Sequence, residues 1–166
     1  NSSASWRYDM APRLPLLTDR RLDIGLADAS GLHPELDALR RRVPTGVPAR
    51  HLHPVTAELV RMRNARRQGC NLCQSLRYQS AVDAGATDEV LADRYPGRTA
   101  HDAAALRLAD AYLGDPTELD DTTRSEILDE LTPAEVAEVV GRLANWTFNK
   151  VLISLGLDVD RIERRV

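Results

Sequence analysis

PVTAELVRMRNARRQGCNLCQSLRYQSAVDAG, residues 54–85, holds both cysteines of the chain and shows two helical patterns with one glycine between them. Four residues of the first pattern fall on one face of a helix: Val55, Leu59, Met62 and Arg66. Gly69 ends that pattern, because glycine readily adopts the left-handed backbone conformation that commonly follows a helix. The stretch therefore predicts one helix over 54–68 and a second over 70–84, which begins at the cysteine pair.

Helix signals continue through the rest of the chain. Thr99 is followed by Asp102, and Thr132 by Glu135, each at the three-residue spacing of a helix N-terminal cap. Prolines and glycines separate the periodic segments. The other predicted helices are 34–43, 88–95, 99–113, a run around 125–131, and 132–155.

The last predicted helix has two different halves. A buried stripe is expected from four residues of its first half: Val136, Val139, Val140 and Leu143. From Trp146 to Leu155 apolar residues occur on every side, so this half is expected to be buried all round. No segment alternates apolar and polar residues over a useful length, so the sequence predicts an all-α fold without a sheet.

The chain is long enough, at 166 residues, for one domain with its own hydrophobic core. Residues 1–33 show no clear period, and the segment APRLPLL within them suggests an extended arm that lies over another part of the molecule. Residues 34–166 are predicted to form a single helical domain.

Composition and charge exclude several classes of protein. An apolar content of 43% and a net charge of -3 indicate an ordered globular chain without general affinity for nucleic acid. The arginines at 40–42 and 61–67 are interpreted as solvated helix faces. No apolar run approaches the roughly 20 residues of a membrane helix, and no leader peptide is visible. With only two cysteines, this predicts a cytoplasmic protein, where a CxxC pair is more often catalytic or metal-binding than a structural disulfide.

The cysteine spacing favours redox chemistry. At about 100° per residue, Cys70, Cys73 and Arg77 share one face of the predicted helix. Cys70 lies in the first turn, where unpaired backbone N–H groups favour a thiolate, and the Arg77 cation acts in the same direction. Two cysteines in a first turn can also close a disulfide across two residues.

Other interpretations of the pair remain open. The cysteines can be packed in a core as small apolar residues, or they can bind zinc together with His51 and His53. The zinc hypothesis is weaker, because this histidine spacing is unfamiliar and Arg77 would repel a metal ion. A thioredoxin-type site needs a strand before the pair, whereas a helix precedes this one. We therefore expect no metal and no cofactor.

Glu58 lies on the shoulder of the apolar stripe of the first helix. Burial disfavours the charged form of a carboxylate, which would suit a proton acceptor for a thiol. The alternative is a surface ion pair with Arg61, three residues further on. His51 and His53 are supporting candidates because they immediately precede this helix, whereas the other two histidines are expected to be exposed.

The segment ELVRMRNARRQGCNLCQSLRYQSAVDAG resembles the core of the alkylhydroperoxidase D and carboxymuconolactone decarboxylase superfamily. Members typically show a glutamate, a basic helix, G-C-x-x-C, a histidine four residues later, then alanine and glycine. Glu58, Gly69, Cys70 and Cys73 stand in register with that pattern. The segments LRLADAYLGDP and LTPAEVAEVVGRLANWTFNKVLISLGLD are similar to the closing helices of the superfamily, so the resemblance extends over 54–158.

The resemblance implies an all-helical fold that packs as trimers or hexamers. In the peroxidase members the CxxC pair reduces hydroperoxides, and a dithiol donor, such as a lipoyl group or a thioredoxin-like protein, recharges it. Carried over, Cys73 is the attacking thiolate, Cys70 the resolving and donor-facing thiol, and Glu58 the base of a proton relay. The helix-dipole argument instead favours Cys70 as the more acidic thiol. The decarboxylase branch lacks the redox pair.

This chain departs from the peroxidase pattern at two positions. Arg77 stands where the pattern has histidine, and Leu72 stands where some members have another histidine. Arginine keeps a positive charge near the thiolate but cannot pass protons near pH 7, so slow peroxidase turnover is expected. The resemblance, together with the cysteine spacing, thus implies a CxxC-dependent, antioxidant-type hydroperoxide or thiol–disulfide oxidoreductase. The alternative is a non-catalytic helical oligomer that binds a small molecule or senses redox state through the pair.

Overall fold

The computed structural model describes residues 16–19, 24–27, 33–35, 38–39, 42 and 49–156. Its elements in chain order are β1 (Leu16–Asp19), β2 (Ile24–Ala27), α1 (Pro54–Arg67), α2 (Asn71–Ser75), α3 (Gln79–Asp83), α4 (Ala100–Leu113), a 3-10 turn (Pro116–Glu118), α5 (Asp121–Glu130) and α6 (Pro133–Gly156). The described residues at 34–35, 38–39 and 42 are also helical. The predicted all-α fold class is confirmed.

Helices α1, α4 and α6 match the predicted helices closely at both ends, and the caps of α4 and α6 are those expected. At the start of α4 the Asp102 N–H donates to the Thr99 hydroxyl at 3.0 Å. At the start of α6 the Thr132 N–H donates to the Glu135 carboxylate at 2.9 Å, and the Glu135 N–H donates to the Thr132 hydroxyl at 3.3 Å. Each cap is encoded within four residues, so the local sequence is enough to locate it.

Two predicted helices differ from the structure. The segment predicted as one helix over 70–84 is divided into α2 and α3, because the backbone becomes extended after α2. Residues 88–95 form turns rather than a helix. In this loop Arg66 and Arg98 donate to main-chain carbonyls between 90 and 93. These carbonyls are therefore satisfied without helical hydrogen bonds.

A two-stranded antiparallel ribbon is present where no sheet was expected. β1 pairs with β2, with Leu16 opposite Ala27, and β2 lies beside α6. Each strand has four residues, which is too short for its alternation to be recognised in the sequence. The ribbon lies within the predicted arm over 1–33; the rest of that arm, apart from residue 33, lies outside the described residues.

Helix α1 lies at the centre of the helical part and packs against α4, α6, α2 and α3. The larger apolar cluster joins α1, α4, α5 and α6: Leu52, Ala57, Val60, Ala104, Ala105, Ala109, Ile127, Leu131, Val139, Leu143 and Trp146. The smaller cluster lies around α1 and α3: Leu59, Met62, Ala81, Ala86, Leu91 and Leu106.

The stripe predicted on α6 is correct at Val139 and Leu143, which are fully buried. Val140 is 38% exposed, contrary to the prediction, because it lies about 100° further round the helix than Val139. Among the described helices, none combines the length and the apolar character needed to cross a bilayer.

Glu138 is a fully buried carboxylate that joins α6 to the segment before α1. One of its oxygens accepts from the backbone N–H groups of Arg50, His51 and Leu52 at 3.1, 2.6 and 3.1 Å, and the other accepts from the Arg142 Nε at 2.8 Å. Burial alone opposes ionisation, but the backbone hydrogen bonds and Arg142 outweigh it and hold the pKa of Glu138 below its usual value.

Replacement of Glu138 by glutamine tests this link. Since the folded-state pKa is depressed, the stabilisation is complete above the unfolded carboxyl pKa of about 4.3 and is lost as pH falls through the folded value. We expect Glu138→Gln to lower the free energy of unfolding at pH 7 by about 1–3 kcal/mol. In urea titrations the difference from wild type should shrink as pH falls below 4; a constant difference at all pH values would contradict the argument.

Candidate active site

The turn after α1 places the first cysteine. Gly69 has φ 61°, its N–H donates to the Arg66 carbonyl at 3.1 Å, and the Cys70 N–H donates to the Ala65 carbonyl at 3.0 Å. This pair of bonds is the Schellman motif, so the predicted role of Gly69 as the end of the helix is confirmed. Cys70 then becomes the N-cap of α2, where its Sγ accepts a hydrogen bond from the Cys73 N–H at 3.3 Å.

Cys70 and Cys73 lie at disulfide-bonding distance, with their Cα atoms 5.3 Å apart. Cys70 is buried, with 8% of its surface exposed, whereas Cys73 is half-buried. In this chain the more accessible cysteine is therefore Cys73. The expectation that Cys70 faces an electron donor does not match this exposure.

Glu58 is fully buried and binds Arg61 through both carboxylate oxygens, at 2.5 Å for Oε1 to Nη2 and 2.8 Å for Oε2 to Nε. Arg61 is itself only 5% exposed. The ion pair considered as the alternative for Glu58 thus exists, but inside the protein instead of on its surface. The interpretation of 61–67 as a solvated face is wrong for Arg61, because the carboxylate one turn earlier compensates its charge in the interior.

Arg61 also connects Glu58 to the cysteine segment. Its Nη1 donates to the Cys73 carbonyl at 2.6 Å, and its Nη2 donates to the Leu76 carbonyl at 2.5 Å. The guanidinium lies over the Tyr78 ring, 5.2 Å from the ring centroid. Sequence reasoning did not single out Arg61 as a site residue, although its three-residue spacing from Glu58 was a visible signal.

Arg77 lies beyond the C-terminal end of α2 and not on the cysteine face. Its guanidinium donates to the carbonyls of Gln74 and Leu76, each at 2.7 Å, and forms an ion pair with Asp88 at 3.0 Å. The expectation that Arg77 shares a helical face with both cysteines is wrong, because the helix ends before it. The side chain instead caps the C-terminal end of α2, the cysteine helix, so called because it begins at the cysteine pair. A cation is favourable at this end of a helix.

His51 and His53 are exposed and lie at the N-terminal end of α1, where the His53 Nδ1 accepts the Val55 N–H at 3.4 Å. Arg61, which contacts the cysteine segment, lies about 12 Å further along the helix axis, given 1.5 Å per residue. The structure therefore does not bring these two histidines, considered as supporting residues, to the cysteine pair.

The other histidines do not complete a metal site either. His33 is exposed as expected, whereas His101 is partly buried and pairs with Glu135 at 2.9 Å. In the part of the chain that the structure describes, no three His, Cys, Asp or Glu side chains come together as metal ligands. The zinc hypothesis with His51 and His53 thus gains no support from the geometry.

A buried amine joins α6 to α1. Lys150 is 4% exposed, and its Nζ donates to the Asn64 side-chain oxygen. The Asn64 and Gln68 amides both donate to the Thr147 hydroxyl at 3.1 Å. Burial, and after it the positive charge of Arg61, lowers the pKa of Lys150 to about 8. The pattern from Trp146 to Leu155 predicts a half-helix that is apolar on every side, and the buried amine of Lys150 departs from that prediction.

The fold and the site define a helical domain that holds two cysteines at disulfide-bonding distance over a buried ion pair. No protein-family model matches the chain. The chain is 32% identical over 155 residues to an uncharacterized protein of Mycobacterium tuberculosis, MT2376 in strain CDC 1551 / Oshkosh and Rv2313c in strain ATCC 25618 / H37Rv. The match covers 90% of this chain and 51% of each relative, so the chain spans about half the length of the curated relatives it matches.

The structure is also similar to a crystal structure of the debrominase Bmp8, a cysteine-to-alanine variant in complex with 2,3,4-tribromopyrrole. The TM-score is 0.62 at 18% identity, over 80% of this chain and 74% of the other. At this identity the likeness establishes a shared helical fold.

The turn at Gly69 generates a prediction for stability. A Cβ at this position would meet no atom within 4 Å, so Gly69→Ala should cost only the strain of the left-handed backbone, about 1–2 kcal/mol of unfolding free energy. Gly69→Asn should cost less, because asparagine tolerates this conformation. Urea unfolding of the three proteins checks the order; equal stability of Gly69→Ala and wild type would contradict it.

Proposed function

We propose that the protein is a dithiol–disulfide oxidoreductase of the alkylhydroperoxidase D type, which reduces hydroperoxides at Cys73 and Cys70. The observation that carries the proposal is the position of the cysteine pair, at disulfide-bonding distance at the start of α2. This chain shares its helical fold with the debrominase Bmp8, and the fold of Bmp8 is related to the fold of this superfamily. This likeness supports the proposal. The register of Glu58 and Gly69 with the superfamily motif supports it as well.

In the first step the Cys73 thiolate attacks one oxygen of a hydroperoxide, ROOH. The O–O bond breaks, the sulfur becomes a sulfenic acid, and the leaving alkoxide takes up a proton and departs as ROH. In the second step the Cys70 thiol attacks the sulfenic sulfur, the S–O bond breaks, and water leaves. One hydroperoxide has then gained two electrons, and the two thiols have become one disulfide.

A dithiol donor, either a lipoyl group or a thioredoxin-like protein, restores the pair. One donor thiolate attacks a sulfur of the disulfide, and the second donor thiol resolves the mixed disulfide, so the donor leaves oxidised. We assign this attack to Cys73, because it is more exposed than Cys70. The attack releases Cys70 as a thiolate. The Cys73 N–H donates a hydrogen bond to the Cys70 Sγ and so stabilises this thiolate.

Arg61 places a permanent cation next to the Cys73 carbonyl, which favours a thiolate, whereas Arg77 is paired with Asp88 beyond the end of α2. Neither passes protons near neutral pH, so slow turnover is expected where the peroxidase pattern has a relay histidine. Glu58 engages Arg61 with both oxygens. We therefore assign Glu58 the positioning of Arg61 in place of the proton-acceptor role that the resemblance implies.

We also propose that the chain works in the cytoplasm as a homo-oligomer, a trimer or hexamer. Large apolar side chains remain exposed on the helices of this single chain: Tyr78, Val82, Tyr112, Leu128 and Val140. Contact between copies would remove such groups from water. The alternative, a non-catalytic oligomer that senses redox state, uses the same cysteines without turnover.

Stoichiometric oxidation tests the proposed reaction. Reduced wild-type protein treated with one equivalent of cumene hydroperoxide should lose two thiols per chain and gain one disulfide, and dihydrolipoamide or reduced thioredoxin should restore both thiols. Cys73→Ser should leave the hydroperoxide unconsumed. Cys70→Ser should consume one equivalent and stop at a sulfenic acid, which dimedone traps. Wild-type protein alkylated beforehand is the control.

Three results would redirect the proposal. Rapid oxidation without turnover by either donor supports the redox sensor. Unchanged thiols after hydroperoxide treatment rule out both roles for the pair. Bromide release from 2,3,4-tribromopyrrole in the presence of the dithiol, with hydroperoxide left intact, would favour the type of reaction named for the structural neighbour.

A further inference from the structure

The Glu58–Arg61 pair lies directly under the cysteine helix. Arg61 binds Glu58 on one side and the carbonyl of Cys73, at 2.6 Å, on the other. A second bond, to Leu76 at 2.5 Å, fixes the point where the backbone leaves α2. Both charged groups are buried, so solvent screens them weakly.

Reduction changes the charge of the cysteine helix. A disulfide is neutral, whereas the reduced pair can carry one thiolate, which a nearby cation stabilises and a nearby anion destabilises. A disulfide becomes easier to reduce when its reduced form is stabilised. Arg61 and Glu58, which are bound to each other, therefore have opposite effects on the stability of the reduced cysteine pair.

We propose that the Glu58–Arg61 pair sets how readily the Cys70–Cys73 disulfide is reduced, with Arg61 stabilising the reduced pair and Glu58 limiting that effect. Both are positioning residues that act through the cysteines. The inference rests on the proposed function, because it concerns the regulation of the same disulfide. Neither residue needs to touch the hydroperoxide or the donor.

Equilibration with glutathione measures the effect. The disulfide and two glutathione molecules give one cysteine thiol, one cysteine thiolate, oxidised glutathione and one proton. At pH 7, Arg61→Met should lower this equilibrium constant about tenfold, which corresponds to about 30 mV for a two-electron couple. Glu58→Gln keeps a hydrogen-bonding partner for Arg61 but removes the negative charge, so it should raise the constant.

The opposite signs separate this role from a merely structural one. If the pair only held α2 in shape, both substitutions would loosen the helix and shift the constant in the same direction. A shift in the same direction, or shifts smaller than about twofold in both variants, would overturn the inference. If Arg61→Met does not fold, Glu58→Gln decides the test. An equilibrium constant with glutathione that does not rise in this variant would by itself overturn the inference.

Another carboxylate–arginine pair among the described residues, in which only the carboxylate is fully buried, provides a matched control. Glu138 is fully buried, binds Arg142 at 2.8 Å, and Arg142 lies over the Trp146 ring at 5.8 Å. Glu138→Gln and Arg142→Met should lower the stability of the protein yet leave the equilibrium constant with glutathione within about twofold of wild type. A larger shift would show that this constant follows stability, and it would overturn the inference. A wild-type pair that does not exchange with glutathione would instead refute the proposed function.

Discussion

The buried ion pair between Glu58 and Arg61 is the interaction on which the site depends. Removal of one partner from such a pair typically costs about 3–5 kcal/mol, because the other charge is left without compensation in the interior. Glu58 uses both oxygens on Arg61, and Arg61 uses two further donors on the carbonyls of Cys73 and Leu76. A regular helix through Leu76 would take up carbonyls that Arg61 now binds. Arg61 therefore connects the ion pair to the backbone at the point where α2 ends.

This dependence explains which parts of the fold could be predicted. The starts of α4 and α6 follow from caps encoded within four residues, and Gly69 marks the end of α1 by its own backbone preference. The division of 70–84 and the turns over 88–95 could not be predicted from periodicity. They arise where arginine side chains bind main-chain carbonyls, as Arg61 does, and such contacts have no local signature.

The candidate site was predictable in its sulfurs but not in its charges. The spacing of Cys70 and Cys73 identifies them as a pair. Arg61 stands in a run of arginines that is typical of a solvated face, and Lys150 stands in an apolar run, yet both are buried. A charged side chain enters the interior only where partners from other elements compensate it. For Lys150 such a partner is Asn64, which lies on α1. Burial of such groups is therefore a property of the packed helices and not of any one segment.

A buried amine, that of Lys150, is electrostatically coupled to the Glu58–Arg61 pair through Arg61. An arginine side chain carries a permanent charge, whereas a buried amine can lose its own. Lys150, with its pKa lowered to about 8 by burial and by Arg61, loses its charge as pH rises through that value. The same change relieves its repulsion with Arg61. A titrating charge in the helical core is thus coupled to the arginine that binds the cysteine segment, and this link between α6 and the candidate site is not encoded in any single segment.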